Sequence, residues 1–143
     1  MVPEHIIDIS EARFSDPESP QDEEQAASNY GGYEGFIVTT NKQRIYLGIS
    51  AGQQCCEVTG YLMSEDNLKD FIGSRLVGVS VTDTALNTHV TESVGCLYDG
   101  GVMFVNLKTD KGDLQFVCYN NHNGYYGHHA LVHSTQVKHS DCL

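Results

Sequence analysis

The sequence predicts an α+β domain, mainly an antiparallel sheet with one short, well-capped helix at about residues 64–73 docked on it. Three observations carry that expectation. Runs of β-branched and aromatic residues alternate with polar ones, polar or glycine-bearing turns separate the runs, and one segment alone combines helical spacing with capping signals. The 143 residues suit one domain able to bury a core.

The N-terminal portion is set apart by charge. Residues 1–24 hold eight acids against Arg13 alone, a net of −7 out of the chain's −11. With Pro17, Pro20 and the polar run Ser19 to Ser28, residues 1–29 read as an acidic leader, partly disordered or peripheral. A short helix around Ile6–Phe14 is one conformation open to it. Residues 30–143 then form a single β-rich domain.

In that domain Phe36–Thr40 and Arg44–Ile49 flank the turn Asn41-Lys42-Gln43, and Ile45, Leu47 and Ile49 alternate as a half-buried strand requires. Leu76–Asp83 repeats the alternation through Val77, Val79 and Val81. Val102–Thr109 and Leu114–Tyr119 are joined by Asp110-Lys111-Gly112-Asp113, a hairpin whose glycine suits a left-handed turn position. Both strands are apolar at nearly every position, which predicts a central hairpin covered on both faces. His128–His133 is the last expected strand. For the helix, Ser64 is the N-cap candidate, Glu65 and Asp66 follow it, Leu68, Phe71 and Ile72 form an i, i+3, i+4 stripe, and Gly73 occupies the C′ position.

Composition narrows the function classes. Only eight Lys and Arg are spread among 19 acids, so no extended basic face exists for a DNA or RNA polymer. No stretch approaches the roughly 20 apolar residues of a membrane helix, and the N-terminus lacks the apolar core of a signal peptide. Five cysteines without disulfide spacing fit reduced thiols and a cytoplasmic location. There is no P-loop, dinucleotide-binding glycine fingerprint or serine elbow, and no cofactor, metal or catalytic residue is expected.

Two constellations remain. Cys55-Cys56-Glu57 has adjacent thiols unsuited to chelating one zinc; a buried Glu57 would need a partner such as Arg44, Arg75 or backbone N–H groups. The second runs from Tyr119 to His129. Its glycines expose backbone N–H groups, its Asn and His residues offer hydrogen bonds, and Tyr125 and Tyr126 offer flat faces. By composition alone it is equally a ligand cradle or a polar turn satisfying its own backbone. His129 and His133 share a face of the last strand, near His122 and His128, a pattern of surface histidines or of a metal site.

The order of these motifs resembles a known family. Gln54-Cys55-Cys56-Glu57, Tyr61-Leu62, Phe71-Ile72-Gly73, the run Leu107 to Leu114 and Asn123-Gly124-Tyr125-Tyr126-Gly127-His128 are similar to small, mostly phage-encoded proteins that include the Thoeris anti-defence sponges. Those sponges sequester the glycocyclic ADP-ribose signal of bacterial TIR-domain sensors. The resemblance spans about residues 36–133. It implies a non-catalytic homo-oligomer, a dimer or dimer-based assembly in the host cytoplasm, holding a small cyclic nucleotide whole in pockets between protomers. The sponges carry an arginine in the strand before the Asn-Gly-Tyr-Tyr turn, where this chain has Val117 and Cys118.

On that reading Tyr125 or Tyr126, with Phe71 from the helix end, stacks on a base. Asn120, Asn123 and His122 read ribose or base edges, and Arg75 with backbone N–H groups at Gly124 faces phosphate. Two other classes stand beside it: a cyclic-nucleotide hydrolase using His122, His128 or Cys55, and a protein–protein module anchored by the Tyr-rich loop.

Overall fold

The computed structural model describes residues 3–14, 32–50, 57–65, 67–82, 86, 101–122, 129–135 and 137–143. Among them nine strands form two antiparallel sheets. They are β1 (Ile6–Phe14), β2 (Tyr33–Thr40), β3 (Arg44–Ser50), β4 (Glu57–Met63), β5 (Leu76–Thr82), β6 (Gly101–Thr109), β7 (Gly112–His122), β8 (His129–His133) and β9 (Lys138–Cys142). One sheet has the order β1-β2-β3-β8-β9 and the other β4-β7-β6-β5.

The alternation read from the sequence is what brings the sheets face to face. Ile45, Leu47 and Ile49 of β3 point inward, as do Val38 of β2 and Ala130 and Val132 of β8. From the other sheet Leu114, Phe116 and Cys118 of β7 and Val105 and Leu107 of β6 meet them in one core. Phe36, Tyr61 and Phe116 join the layers through rings 5.7–6.3 Å apart. At the rim of that contact the Tyr61 hydroxyl donates to Glu11 Oε2 at 2.7 Å. Burial, and then this bond to the carboxylate, hold the phenol well above the usual tyrosine range.

The β6–β7 hairpin is central, and Gln115 and Val117 on its outer side are as buried as its inner residues. Gly112 takes φ +120° at the turn, a conformation a side chain would oppose. The hairpin β2–β3 and strand β8 fall where the sequence put them, and so does β5. Of its three alternating valines only Val79 is buried, while Val77, at a register shift between Leu76 and Gly78, and Val81 are exposed.

Two expectations are corrected. The architecture is largely all-β, because the segment 64–73 makes only a single 3-10 turn, Leu68–Phe71. Ser64 does not cap a helix. Its N–H donates to Gln115 O at 2.8 Å and its Oγ accepts from Gln115 N at 2.9 Å, so it prolongs the β4 ladder. In a 3-10 turn residues three apart eclipse one another. Leu68 and Phe71 therefore pack on the core together, while Ile72 is left 37% exposed. Gly73, at φ +89°, does end the turn and donates its N–H to Ile6 O.

The second correction concerns Ile6–Phe14, which is not a helix. It is a nine-residue strand paired along β2, with Ile6 and Phe14 buried at its two ends. Its acids stand among the exposed and half-buried positions between, so charge conceals a strand that covers the sheet.

Candidate functional site

The two ends of the sandwich are tied together by different hydrogen bonds, and they divide the residues selected from the sequence. At one end, the turn end, Asn41 N donates to His5 O, His5 pairs with Arg75, and Asp110 N donates to Arg75 O. The 3-10 turn lies here as well, joined through Gly73 to Ile6 and through Lys111 Nζ to Asp70 O. At the opposite, open end β7 finishes at His122, β8 begins at His129, and β4 begins at Glu57.

Phe71 and Arg75 belong to the turn end. The Phe71 ring is buried in the core and presents no stacking face to solvent. Arg75 is exposed, and its backbone is held on both sides by Asp110, whose Oδ1 accepts the Arg75 N–H at 2.9 Å. Asn120 and His122 belong to the open end. Strand β7 has 11 residues, so its two ends lie roughly 34 Å apart at about 3.4 Å per residue. Within one chain, Phe71 and Arg75 therefore do not share a ligand contact with His122. Asn123, Gly124, Tyr125 and Tyr126, together with Cys55, Cys56 and His128, lie outside the described residues.

Register at the open end unites the two sequence constellations. Glu57 is paired with His122, and Val58 with Asn121. The first residue of β4 thus stands beside the last residue of β7. Strand β7, which ends here, belongs to the four-stranded sheet, and β8, which begins here, to the five-stranded one. The same end is secured from below. Asn120 is fully buried and donates Nδ2–H to Leu143 O at 3.1 Å, while Cys142 pairs with His129. Asn120 thus anchors the C-terminal residue Leu143 to β7.

Val117 and Cys118 are both fully buried, so β7 offers no cation before the turn. Arg44 stands at the first position of β3, at the turn end, whereas Glu57 begins β4 at the open end. Among the described residues no group of three or more His, Cys, Asp or Glu could hold a metal ion. No helix in them is long and apolar enough to cross a membrane.

A feature the linear sequence conceals lies on the outer face of the five-stranded sheet. There Lys42, Arg44, Tyr46, His133 and Lys138, drawn from separate segments, line a groove of about 530 Å³.

No curated protein and no solved structure matches the chain. Residues 3–132 match the family described as Domain of unknown function (DUF7448), a span that takes in β1 as well as the motifs at the open end. The chain belongs to the DUF7448 family.

Proposed function

We propose that the protein binds a small cyclic nucleotide, glycocyclic ADP-ribose or a related cyclic nucleotide, and holds it without converting it. The observation that supports this reading is the pairing of Glu57 with His122, the residue that closes the Cys-Cys-Glu motif with the one that precedes Asn-Gly-Tyr-Tyr in sequence. Capture without chemistry needs flat walls and fixed donors, and it gains affinity when these are ordered before the ligand arrives. Strands β4, β7 and β8, rooted in the shared core, give the rim such a footing.

Tyr125 or Tyr126 then stacks on a base, Asn123 and His122 read its edge or the ribose, and N–H groups at Gly124 face phosphate. Within one protomer Phe71 and Arg75 stand at the other end of the sandwich from His122 of this set. A homo-oligomer in the host cytoplasm, in phage counter-defence, completes the reading.

The test incubates the protein with cyclic ADP-ribose isomers and cyclic dinucleotides, follows the melting temperature, then heat-denatures the protein and analyses the released ligand. At a hundredfold excess over Kd, binding adds about 2.7 kcal/mol to stability. For a chain of this size that is a rise of roughly 5–10 °C. Intact recovery, lost together with the thermal shift in Asn123→Ala/Tyr125→Ala, supports sequestration. A cleaved product would make the protein a hydrolase, and no shift with any nucleotide would favour a protein–protein module.

A further inference from the structure

The groove on the outer face of the five-stranded sheet is assembled by register. Tyr46 of β3 is paired with His133 of β8, and His133 with Lys138 of β9. Directly paired residues share a face and stand about 5 Å apart, so these three form one row across three strands. Arg44 precedes Tyr46 by two residues and therefore points the same way. The Tyr46 and His133 rings meet at 6.2 Å in an edge-on contact.

The turn that brings Lys42 to this row is held from several sides. Thr40 Oγ1 accepts from Lys42 N at 3.1 Å and from Gln43 N at 3.0 Å. The Gln43 side chain donates to Glu4 Oε2 at 2.8 Å and accepts from Thr135 N at 2.8 Å. The groove thus has a fixed floor and a fixed rim.

Its charge runs against the rest of the molecule. Three of the chain's eight Lys and Arg line it, whereas the chain as a whole carries 19 acids and a net charge of −11. None of its lining residues is Asp or Glu. Among the described residues, neither Lys42 nor Arg44 has an acidic partner within ion-pairing distance. Like charges gathered in one concavity repel one another and focus a positive potential that an anion relieves. About 530 Å³ falls within the range of small-molecule sites.

We infer that this groove is a second binding site, taking the diphosphate group of a small molecule. Lys42, Arg44 and Lys138 meet the phosphate oxygens, and the remainder of the ligand lies along Tyr46 and His133. Arginine suits this task because its planar donors match two phosphate oxygens at once. A nucleic-acid polymer is a poor occupant, since the net negative charge beyond the groove repels its extended backbone.

This site does not depend on the nucleotide reading above, because the groove gathers at the Arg44 end of β3 and the His133 end of β8, whereas His122 and Glu57 stand at the open end with Ser50 and His129. The test titrates the full chain with pyrophosphate and, separately, with ADP, following amide NMR shifts and heat. Saturable shifts at Gln43, Tyr46 and His133 are expected with both probes. Arg44→Gln and Lys138→Gln should each weaken binding about tenfold. The same change of charge in Lys108→Gln, on the other sheet, should leave binding unaltered. Raising salt from about 50 to 200 mM should weaken wild-type binding, as for partly exposed charges. All three altered side chains are exposed, so the variants should melt like the parent. ADP binding tighter than pyrophosphate supports an aromatic contribution from the same site, and equal binding supports the diphosphate contact alone. No saturable shift up to about 10 mM, or equal weakening by Lys108→Gln, would overturn the assignment. Loss of cyclic ADP-ribose binding in Arg44→Gln, with Tyr125→Ala silent, would overturn the open-end rim and leave the groove standing.

Discussion

Replacing Phe116 with alanine should lower stability by about 4 kcal/mol, and the structure supplies the terms. The side chain is 0% exposed, on the central strand β7, where it faces the opposite sheet. Truncating a buried phenylalanine costs roughly 3–5 kcal/mol, the lost transfer energy plus the cavity left behind. Phe116 also meets Phe36 at 6.2 Å and 76°, and Tyr61 at 6.3 Å and 29°. Such ring pairs contribute about 0.5–1.5 kcal/mol beyond their buried area, which places this site in the upper half of the range. The assay is equilibrium unfolding in urea. With a slope of about 2 kcal/mol per molar, the midpoint should fall by roughly 2 M at unchanged slope. Phe104→Ala is the comparison, since Phe104 is 7% exposed and lies in the smaller outer cluster with Val117. It should cost about 3 kcal/mol, near the bottom of the range. A loss below about 1.5 kcal/mol for Phe116→Ala would refute the view that one core joins the two sheets.

Three other perturbations probe the frame that carries the sites. In Gly35→Ala the new Cβ would meet the Leu47 carbonyl oxygen and lie 2.7 Å from Gly48 Cα, all backbone that no rotamer change can clear. Thermal melts should show a loss of about 3 kcal/mol, whereas Gly78→Ala, with nothing within 4 Å, should stay within about 0.5 kcal/mol of the parent. Thr40→Val removes a hydroxyl that donates to Glu4 Oε2 at 2.6 Å and accepts two turn N–H groups; a loss of about 2 kcal/mol is expected by the same measurement. Tyr61 has its pKa raised in the folded protein, so its contribution is fully present below the unfolded value of about 10 and fades as pH rises above it. Urea midpoints should therefore fall between about pH 10 and 11, and Tyr61→Phe should reduce that slope.

The hairpins were legible because their residues obey the rule that later packs them. Ile45, Leu47 and Ile49 alternate, and so do Leu114, Phe116 and Cys118, and each set is the inner face of its strand. The segment 64–73 misled because its spacing of three and four satisfies one 3-10 turn as well as a helix, and because Ser64 had a strand partner, Gln115, 51 positions away. Strand β1 was masked by its acids. Strand β9, Lys-His-Ser-Asp-Cys, has no apolar alternation at all and exists because β8 offers it an edge.

The sites divided in the same way. That Glu57 and His122 would be partners could not be read from residues 65 positions apart, yet their motifs were visible. Phe71 and Arg75 were joined to His122 by chemistry alone, and within one chain the length of β7 separates them from it. The groove was invisible for a different reason: Arg44, His133 and Lys138 are ordinary strand residues until β3, β8 and β9 align them.

The central claim, a nucleotide held at the open end, is tested most directly by amide NMR of the labelled protein titrated with cyclic ADP-ribose isomers and cyclic dinucleotides. The account predicts that one of them shifts the amides of Glu57, Val58, Asn121 and His122, while those of Arg75, Asp110 and Lys111 at the turn end stay in place. Shifts confined to the turn end, or none from any of these nucleotides, would contradict it.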